Sequence, residues 1–219
     1  MTSGSYSQVH FTLGVGVEGA VTFTDCRFEA GIQILDGPVV IDQCDINGWF
    51  GVTTNNTDSN KLVALVRDTK IVGPPDDDTM RLGGYNWGDM SVYATSRFER
   101  SIIYSPYISG STPGAHFDLI QFNDGHKYDF DHVVFSLVGQ NFGSDLTNYI
   151  NNGEGSTSND IRVTDCWFEG GPVGYLLADA MTLDHCFLSS STNVYGWIYP
   201  GSAITFTSRI DENGAPVTG

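Results

Sequence analysis

Short stretches of the chain alternate apolar and polar residues with a period of two, which is the pattern of β-strands. In the stretch VTFTDCRF, Val21 and Phe23 face one side of such a strand. The alternation slips by one residue at Asp25 and then resumes, so Cys26 and Phe28 face the same side as the first pair. Because the apolar residues before and after the slip face the same side, the slip indicates a corner between two short strands.

This pattern recurs along the chain, and the position of Cys26 serves as a mark for its copies. Seven copies are recognised, with marks 18 to 37 residues apart at Cys26, Cys44, Thr69, Ser96, Val133, Cys166 and Cys186. The predicted corner residues stand just before the marks, at Asp25, Gln43, Asp68, Thr95, His132, Asp165 and His185. Aspartate and histidine are among the few non-glycine residues enriched in left-handed backbone geometry, which we expect at these corners.

Helical periodicity is nearly absent, whereas short strands, corners and a repeat of irregular length indicate a solenoid of strands. The V-x-F-x-x-C-x-F-x-x-G line resembles the rung of right-handed parallel β-helices, a group that includes pectate-lyase-like enzymes, polygalacturonase-like enzymes and phage tailspikes. The resemblance covers roughly residues 20–210. It implies an all-β fold, a single-stranded right-handed parallel β-helix (solenoid) of about seven or eight rungs with long loop insertions. A β-sandwich is the alternative, but it does not account for the recurring corner.

The expected organisation is one solenoid with short ends. We assign residues 1–20 to an N-terminal cap or attachment segment, residues 21–210 to the β-helix and residues 211–219 to a C-terminal tail. The four cysteines then share one inward column, where small apolar thiols pack well in a dry core. Adjacent turns are close enough for disulfides, but stacked side chains rarely reach the required torsion, so we favour free thiols.

Charge narrows the range of partners. The chain carries 26 acidic residues against 10 basic ones, for a net charge of −16. Such a surface repels phosphate backbones and anionic membranes, so neither nucleic-acid binding nor membrane insertion is expected. The N-terminal stretch MTSGSYSQVH lacks the basic start and apolar run of a signal peptide, and no cofactor motif is recognised.

Long insertions interrupt the rungs, and insertions are where solenoids carry recognition. Four stand out, at residues 48–61, 73–89, 109–129 and 139–160. In the third, His116, Asp118 and Gln121 form a His-x-Asp-x-x-Gln motif that resembles one found in β-helix proteins of phages and in secreted polysaccharide-active enzymes. A histidine beside a carboxylate can act as an acid or a base near neutral pH.

The candidate catalytic residues are therefore His116, Asp118, Asp124 and Asp129. In a glycoside hydrolase, Asp118 with Asp124 or Asp129 would be the carboxyl pair that flanks the groove. The alternative is a polar ladder on the outer face, in which these side chains cap a turn. The Asp-His pairs at 131–132 and 184–185 resemble a pectate-lyase signature, but both histidines occupy the corner position, which favours a structural role.

Several residues in the insertions and near the chain's end are candidate contacts. Flat rings stack on sugars, fill protein interfaces or cover the open end of a solenoid. The candidate contacts to a glycan or a neighbouring subunit are Trp49, Tyr85, Trp87, Gln121, Tyr195, Trp197 and Tyr199. The carboxylates of Asp76, Asp77 and Asp78 offer hard oxygens for Ca²⁺, but three adjacent side chains converge poorly, so a solvated acidic loop is favoured and no metal is assigned.

Together these features favour a non-enzymatic structural component of a phage particle, tail-associated or decorating the capsid surface, that binds host glycans. The expected partners are other virion proteins, further copies of the chain in a homotrimer implied by the resemblance, and a host polysaccharide. The expected location is the virion. The alternative is a polysaccharide depolymerase, a hydrolase or lyase acting on a host surface glycan. A secreted adhesin is disfavoured because no signal peptide is recognised.

Overall fold

The fold was analysed in a computed structural model, which describes strands joined by turns and bends. The described residues are 1–54, 58, 61–74, 77–83, 95–106, 118–122, 127–137, 147–151, 160–169, 174–177, 181–188, 204–206 and 209–211. Within these ranges no helix is present, so none of their residues forms a helix long and apolar enough to cross a membrane. The expected all-β class is confirmed for this part of the chain.

The strands form three sheets, and each sheet takes every third strand in chain order as far as β23, after which β24 joins sheet A and β25 joins sheet B. Sheet A contains β1 (Gly4–Ser7), β4 (Val21–Thr24), β7 (Val39–Asp42), β10 (Leu62–Arg67), β13 (Thr95–Glu99), β16 (Lys127–Asp131), β19 (Asp160–Thr164), β22 (Met181–Asp184) and β24 (Ile204–Phe206). Sheet B contains β2 (His10–Phe11), β5 (Arg27–Phe28), β8 (Asp45–Asn47), β11 (Lys70–Val72), β14 (Ile102–Tyr104), β17 (Val134–Ser136), β20 (Trp167–Glu169), β23 (Cys186–Leu188) and β25 (Arg209–Asp211). Sheet C contains β3 (Val15–Glu18), β6 (Ile32–Asp36), β9 (Phe50–Thr53), β12 (Met80–Gly83), β15 (Ile120–Phe122), β18 (Thr147–Asn151) and β21 (Gly174–Leu177).

The pairing within the sheets is parallel, as in the pairs β4–β7 and β16–β19. One strand from each sheet, taken in chain order, makes what we call a turn, and successive turns stack on one another. This topology is consistent with a parallel β-helix. It differs from the β-sandwich alternative, whose sheets are antiparallel.

A left-handed residue stands at the corner between the sheet A strand and the sheet B strand in each of the eight turns from β1 to β23. We call this set the corner column: Gln8, Asp25, Gln43, Asp68, Arg100, His132, Asp165 and His185, with φ between 45° and 57°. The corner N–H still joins the ladder, as where Asp25 donates to the carbonyl of Asp42 at 3.1 Å. The left-handed corner predicted from the slip in alternation is therefore confirmed at six of the seven predicted positions.

The seventh prediction, Thr95, is wrong. Thr95 begins β13, and the corner of that turn is Arg100, with φ 45°. Ser96 is accordingly not the mark of its turn, because the residue after this corner is Ser101, which is buried. The misplacement has a simple cause, since neither arginine at the corner nor serine at the mark matches the residue types of the other copies.

The N-terminal segment contributes strands to the stack. Residues 1–20, predicted as a cap or attachment segment, contain β1, β2 and β3, with Gln8 at the corner. Tyr6 lies in register with Phe23 of the next turn, and their rings stack with centroids 5.4 Å apart. The chain thus enters the three sheets from Gly4 onward, and the cap function of this segment stays a prediction.

The core lies between the three sheets and is built from stacked columns of like side chains. Phe11 stacks on Phe28 with ring centroids 4.9 Å apart, and Phe135 stacks on Phe168 at 4.6 Å. These distances match the spacing of neighbouring strands, so each ring fills the space above the ring of the next turn. Burying a side chain of this size stabilises the fold by about 1.5–3 kcal/mol.

The residue after each corner from Asp25 onward points into the core, and we call this set the inward column: Cys26, Cys44, Thr69, Ser101, Val133, Cys166 and Cys186, all buried. The N–H of Cys26 donates to Sγ of Cys44 at 3.4 Å, and the N–H of Cys44 donates to Oγ1 of Thr69 at 3.2 Å. All four cysteines are free, as expected. Their side chains do more than pack, because they accept backbone N–H groups that would otherwise be buried without an acceptor.

Candidate functional site

The outer face of sheet C carries a row of residues in register from turn to turn. Gly16, Gln33, Gly51, Arg81 and Gln121 pair in that order along β3, β6, β9, β12 and β15. The inward neighbours on both sides of each are apolar and buried. We call this set the outer row. It places two amides and a guanidinium beside flat glycine backbone at intervals of roughly 4.8 Å.

Trp49 lies over this row. A Cβ placed on Gly51 would be 2.5 Å from Cη2 of the Trp49 ring and 2.8 Å from Cζ2, so the indole rests directly on the backbone at position 51. The ring is partly exposed, and its Nε1 is shielded with no acceptor among the described residues. An indole N–H without an acceptor costs about 1–3 kcal/mol. The ring therefore offers its apolar face to a ligand, since its shielded N–H is out of reach.

The backbone around Trp49 is fixed by glycines. Its carbonyl accepts the N–H of Ile32 at 2.9 Å, and a Cβ on Gly31 would lie only 2.0 Å from that carbonyl oxygen. Gly31 and Gly48 have φ of 81° and 110°, which glycine adopts at little steric cost. The ring is therefore held at a set position before any ligand arrives.

Two shallow pockets lie near the start of sheet C, and the first of them is bordered by the Trp49 ring. One of about 280 Å³ is lined by Gly14, Val15, Gly16, Ala30, Gly31, Ile32, Gln33 and Trp49. A second of about 430 Å³ shares Gly14, Val15 and Gly16 with it and extends to Leu13, whose side chain is 78% exposed. The Gln33 amide at the edge is oriented by its Nε2, which donates to Oγ1 of Thr53 at 3.0 Å. The first pocket brings the ring, glycine backbone and the Gln33 amide to one space of ligand size.

An acidic cluster lies beside the outer row where β12 begins. The Asp78 carboxylate is buried, and it accepts the N–H of Asp118 at 2.9 Å and Nε of Arg81 at 3.0 Å. Arg81 also bonds Asp77 through its second nitrogen. Burial raises the pKa of Asp78 above its usual range, although both hydrogen bonds oppose that rise. The cluster joins the segments that lead into β12 and β15.

The structure separates two of the predicted catalytic carboxyls. Asp118 is buried just before β15 of sheet C, and its carbonyl accepts the N–H of Thr79 at 3.1 Å. Asp129 lies in β16 of sheet A, where Oδ2 accepts a nitrogen of Arg97 at 3.2 Å. His116 and Asp124 lie outside the described residues. The catalytic pairing of Asp118 with Asp124 or Asp129 stays a prediction.

Two predicted contact residues lie on the outer side of sheet C, two strands apart. Gln121 belongs to the outer row and Trp49 lies over it, whereas the other predicted contacts lie outside the described residues: Tyr85, Trp87, Tyr195, Trp197 and Tyr199. Of the weak calcium candidates, Asp76 also lies outside them. Asp77 and Asp78 bind Arg81, so a cation at this place would compete with a guanidinium.

Sequence reasoning missed Gln33, Gly51 and Arg81. A signal for Gly51 exists, because a glycine in the middle of an apolar strand indicates close approach by another group. Arg81 stands three and four residues after the aspartates that it binds, but that spacing does not by itself place it in a strand.

Comparison with known proteins finds no matching protein family, no similar curated protein and no similar solved structure.

Proposed function

We propose that this chain is a non-enzymatic component of a phage particle that binds a host surface glycan through the outer face of sheet C. The observation that carries the glycan-binding part is the Trp49 ring held flat over Gly51, beside the in-register side chains of Gln33, Arg81 and Gln121. A sugar ring offers an apolar face to an aromatic ring and hydroxyl groups to amides and a guanidinium. Because the outer row presents side chains on successive strands, it suits an extended polymer better than a single small molecule.

The contacts of the buried acids support a non-enzymatic role. Both carboxylate oxygens of Asp78 accept hydrogen bonds from the protein, one from the Asp118 backbone and one from Arg81. A carboxyl that joins two backbone segments in this way serves the fold directly. In the proposed function, the cluster keeps β12 and β15 in register so that Arg81 and Gln121 stay aligned.

The proposal includes a right-handed parallel β-helix. Crossover connections between parallel strands of one sheet are right-handed in nearly all proteins, which supports this hand. The sequence predicts about seven or eight rungs, and the nine strands of sheets A and B support a count at or just above that range.

The assignment to a phage particle rests first on the resemblance of the V-x-F-x-x-C-x-F-x-x-G line to the rung of tailspike β-helices. It rests also on the backbone pairing along the stack, because a fully paired backbone suits a virion protein that is exposed to proteases. Other virion proteins and a homotrimeric assembly are part of this proposal. Quantitative mass spectrometry of purified particles tests it by comparing copies of this chain with copies of the major capsid protein. A fixed stoichiometry is expected, and complete absence of the chain would overturn the particle assignment.

Glycan binding is tested with Trp49→Ala on an array of bacterial surface polysaccharides. Loss of ring stacking is expected to weaken binding by ~1–2 kcal/mol, or about tenfold. Trp167→Ala is the matched control, because Trp167 is also partly exposed (42%) but lies on sheet B, stacked on Phe187. Equal effects of the two variants, or no binding by the native chain, would contradict the assignment of this face.

The alternative function is a polysaccharide depolymerase, and one observation favours it. The raised pKa of the buried Asp78 is typical of a carboxyl that acts as a general acid. Release of reducing or unsaturated sugar ends by the native chain, abolished in both Asp78→Asn and Asp118→Asn, would establish the enzyme and refute the non-enzymatic proposal.

A further inference from the structure

The corner column brings a histidine and two carboxylates together on the side of the solenoid where sheets A and B meet. His132 and Asp165 occupy the corners of consecutive turns, and Asp131 directly precedes His132. One ligand atom from each of the three residues lies within 4.8 Å of the other two. A nitrogen of His132 is 2.7 Å from Oδ1 of Asp131. His132 and Asp165 are exposed and Asp131 is half-buried, so the set is open to solvent.

Other carboxylates in this column have a partner on a neighbouring turn. Asp25 accepts a hydrogen bond from the Gln8 amide at 3.2 Å, and Asp68 binds Arg100 through two bonds of 2.8 and 2.7 Å. Asp165 differs, because its carboxylate has no hydrogen bond or ion pair with any residue that the structure describes. Its neighbours along the column are histidines on both sides, at 132 and 185.

The backbone holds these ligands in place. The N–H of His132 donates to the Thr164 carbonyl at 3.1 Å, and the N–H of Asp165 donates to the Asp184 carbonyl at 3.0 Å. Both residues are in the left-handed conformation, with φ of 54° and 51°. Only side-chain torsions remain to be fixed when an ion binds, which lowers the entropy cost of binding.

Nearby cations do not occupy the site. Arg100 precedes His132 in the column, but its guanidinium is bound to Asp68 and Glu99. Arg162 is bound to Asp160. With a net charge of −16 on the chain, the local field favours a cation beside Asp131 and Asp165.

We propose that Asp131, His132 and Asp165 form a binding site for a divalent transition-metal ion such as Zn²⁺. One imidazole nitrogen with two carboxylate oxygens suits Zn²⁺ and Ni²⁺ better than Ca²⁺ or Mg²⁺, which prefer oxygen ligands alone. Metal–ligand bonds of about 2.0–2.2 Å place ligand atoms roughly 3.3–3.5 Å apart in a tetrahedral site. The ligand atoms of the three residues lie up to 4.8 Å apart without an ion. Small rotations of the exposed side chains bring them to the shorter separation, and water supplies the remaining ligands.

The test is isothermal titration of the untagged, metal-free full chain with Zn²⁺ and, separately, with Ni²⁺. The informative variants are His132→Asn and Asp165→Asn, because asparagine tolerates the left-handed backbone that alanine would strain. His185→Asn is the matched control. It changes the same residue type in the same column, also after an aspartate, but His185 is outside the three-residue set.

The expected result is one ion bound per native chain, with affinity weakened about tenfold or more in His132→Asn and Asp165→Asn and unchanged in His185→Asn. Circular dichroism of each variant confirms that the strands are retained. The proposal is overturned if the native chain binds neither ion, if the two site variants bind as well as the native chain, or if His185→Asn weakens binding equally.

Discussion

At the scale of single residues, two columns explain why the turns stack. The corner column holds a left-handed conformation that costs a non-glycine residue about 1–2 kcal/mol. The inward column offsets part of this cost, since Cys44, Thr69, Ser101 and Cys166 each accept an N–H from the preceding turn and donate to a carbonyl two residues back. Thr69 shows both bonds, at 3.2 Å from the N–H of Cys44 and 2.8 Å to the carbonyl of Arg67.

Gln43 tests the cost of the corner. Its φ is 55°, so Gln43→Gly should raise the free energy of unfolding by about 0.5–1 kcal/mol after the greater entropy of the unfolded chain is counted. Gln43→Val should lower it by about 1 kcal/mol or more, because β-branched residues avoid this conformation. Urea unfolding measures both changes. Thr22→Val in β4 is the control, with a change expected within about 0.5 kcal/mol; equal stability of the two Gln43 variants would refute strain at the corner.

Val133 tests the inward column, because it is the member without a polar side-chain atom. The N–H of Thr69 donates to Oγ of Ser101 at 3.2 Å, but the side chain that faces the N–H of Ser101 on the next turn is Val133. Val133→Thr should supply the acceptor and raise the free energy of unfolding by about 0.5–1.5 kcal/mol.

The matched control for Val133→Thr is Val163→Thr, at a core position of sheet A that is equally buried. There the hydroxyl should destabilise the fold by about 1–3 kcal/mol, because it enters an apolar column. Thermal unfolding of both variants gives the comparison. Destabilisation of similar size at both positions would show that the Ser101 N–H needs no side-chain acceptor.

At the scale of elements, the sheet A and sheet B strands could be predicted from sequence, and the sheet C strands could not. The strands of sheets A and B flank a corner at a fixed spacing, as Phe23, Asp25 and Phe28 show. Each copy of this pattern therefore supports the assignment of the other copies. From β9 onward, sheet C strands adjoin insertions of irregular length, which break that spacing. The first turn was missed although Tyr6, Val9 and Phe11 repeat the spacing of the second, because Gly4 stands where the second copy has the apolar Val21.

The candidate site was predicted only in part for the same reason. Trp49 and Gln121 were selected for their side-chain chemistry, but that Gln121 belongs to the outer row and that Trp49 lies over it depend on the structure of sheet C. The glycine at position 51 indicates close approach by another group but does not identify that group, and Arg81 is recognisable from sequence only as a partner of nearby aspartates. Register between strands that are distant in sequence is a property of the stack, which local patterns do not report.

Gly51→Ala tests the element that supports the ring. The new Cβ would lie 2.5 Å from the Trp49 ring, so the ring must swing away and glycan affinity should fall about tenfold, with unfolding free energy changed by less than about 1 kcal/mol. The control is Gly51→Ala in a Trp49→Ala background, because without the ring the new Cβ should weaken binding no further. Polysaccharide binding and thermal unfolding are measured together, and unchanged binding by Gly51→Ala would remove the ring from the site.

At the scale of the whole molecule, the nine strands of sheet A give a stack roughly 40 Å long at about 4.8 Å per strand. The stack carries a net charge of −16, so repulsion among carboxylates opposes folding at neutral pH. The pKa values of individual aspartates are shifted in opposite directions. Burial raises the pKa of Asp78, whereas hydrogen bonds from Arg100 lower the pKa of the exposed Asp68.

These opposite shifts predict opposite pH dependences for two matched substitutions. The raised pKa means that folded Asp78 prefers its proton, so its contribution to stability is present below the unfolded pKa and is lost as pH rises. Asp78→Asn should therefore gain stability relative to the native chain between about pH 3 and pH 7. The lowered pKa of Asp68 gives a contribution that is present above the unfolded pKa and is lost as pH falls, so Asp68→Asn should lose relative stability over the same rise in pH.

The two aspartates make a controlled pair, because each binds an arginine and each substitution keeps the shape of the side chain. Asparagine also tolerates the left-handed conformation of residue 68, where φ is 50°. Urea midpoints of the native chain and the two variants, measured at half-unit pH steps, give the slope of each variant's relative stability against pH. The Asp68→Asn slope should be small and should shrink at high salt, since that ion pair is exposed. Slopes of the same sign would show that net charge, and not burial at the start of β12, governs the acid response of the stack.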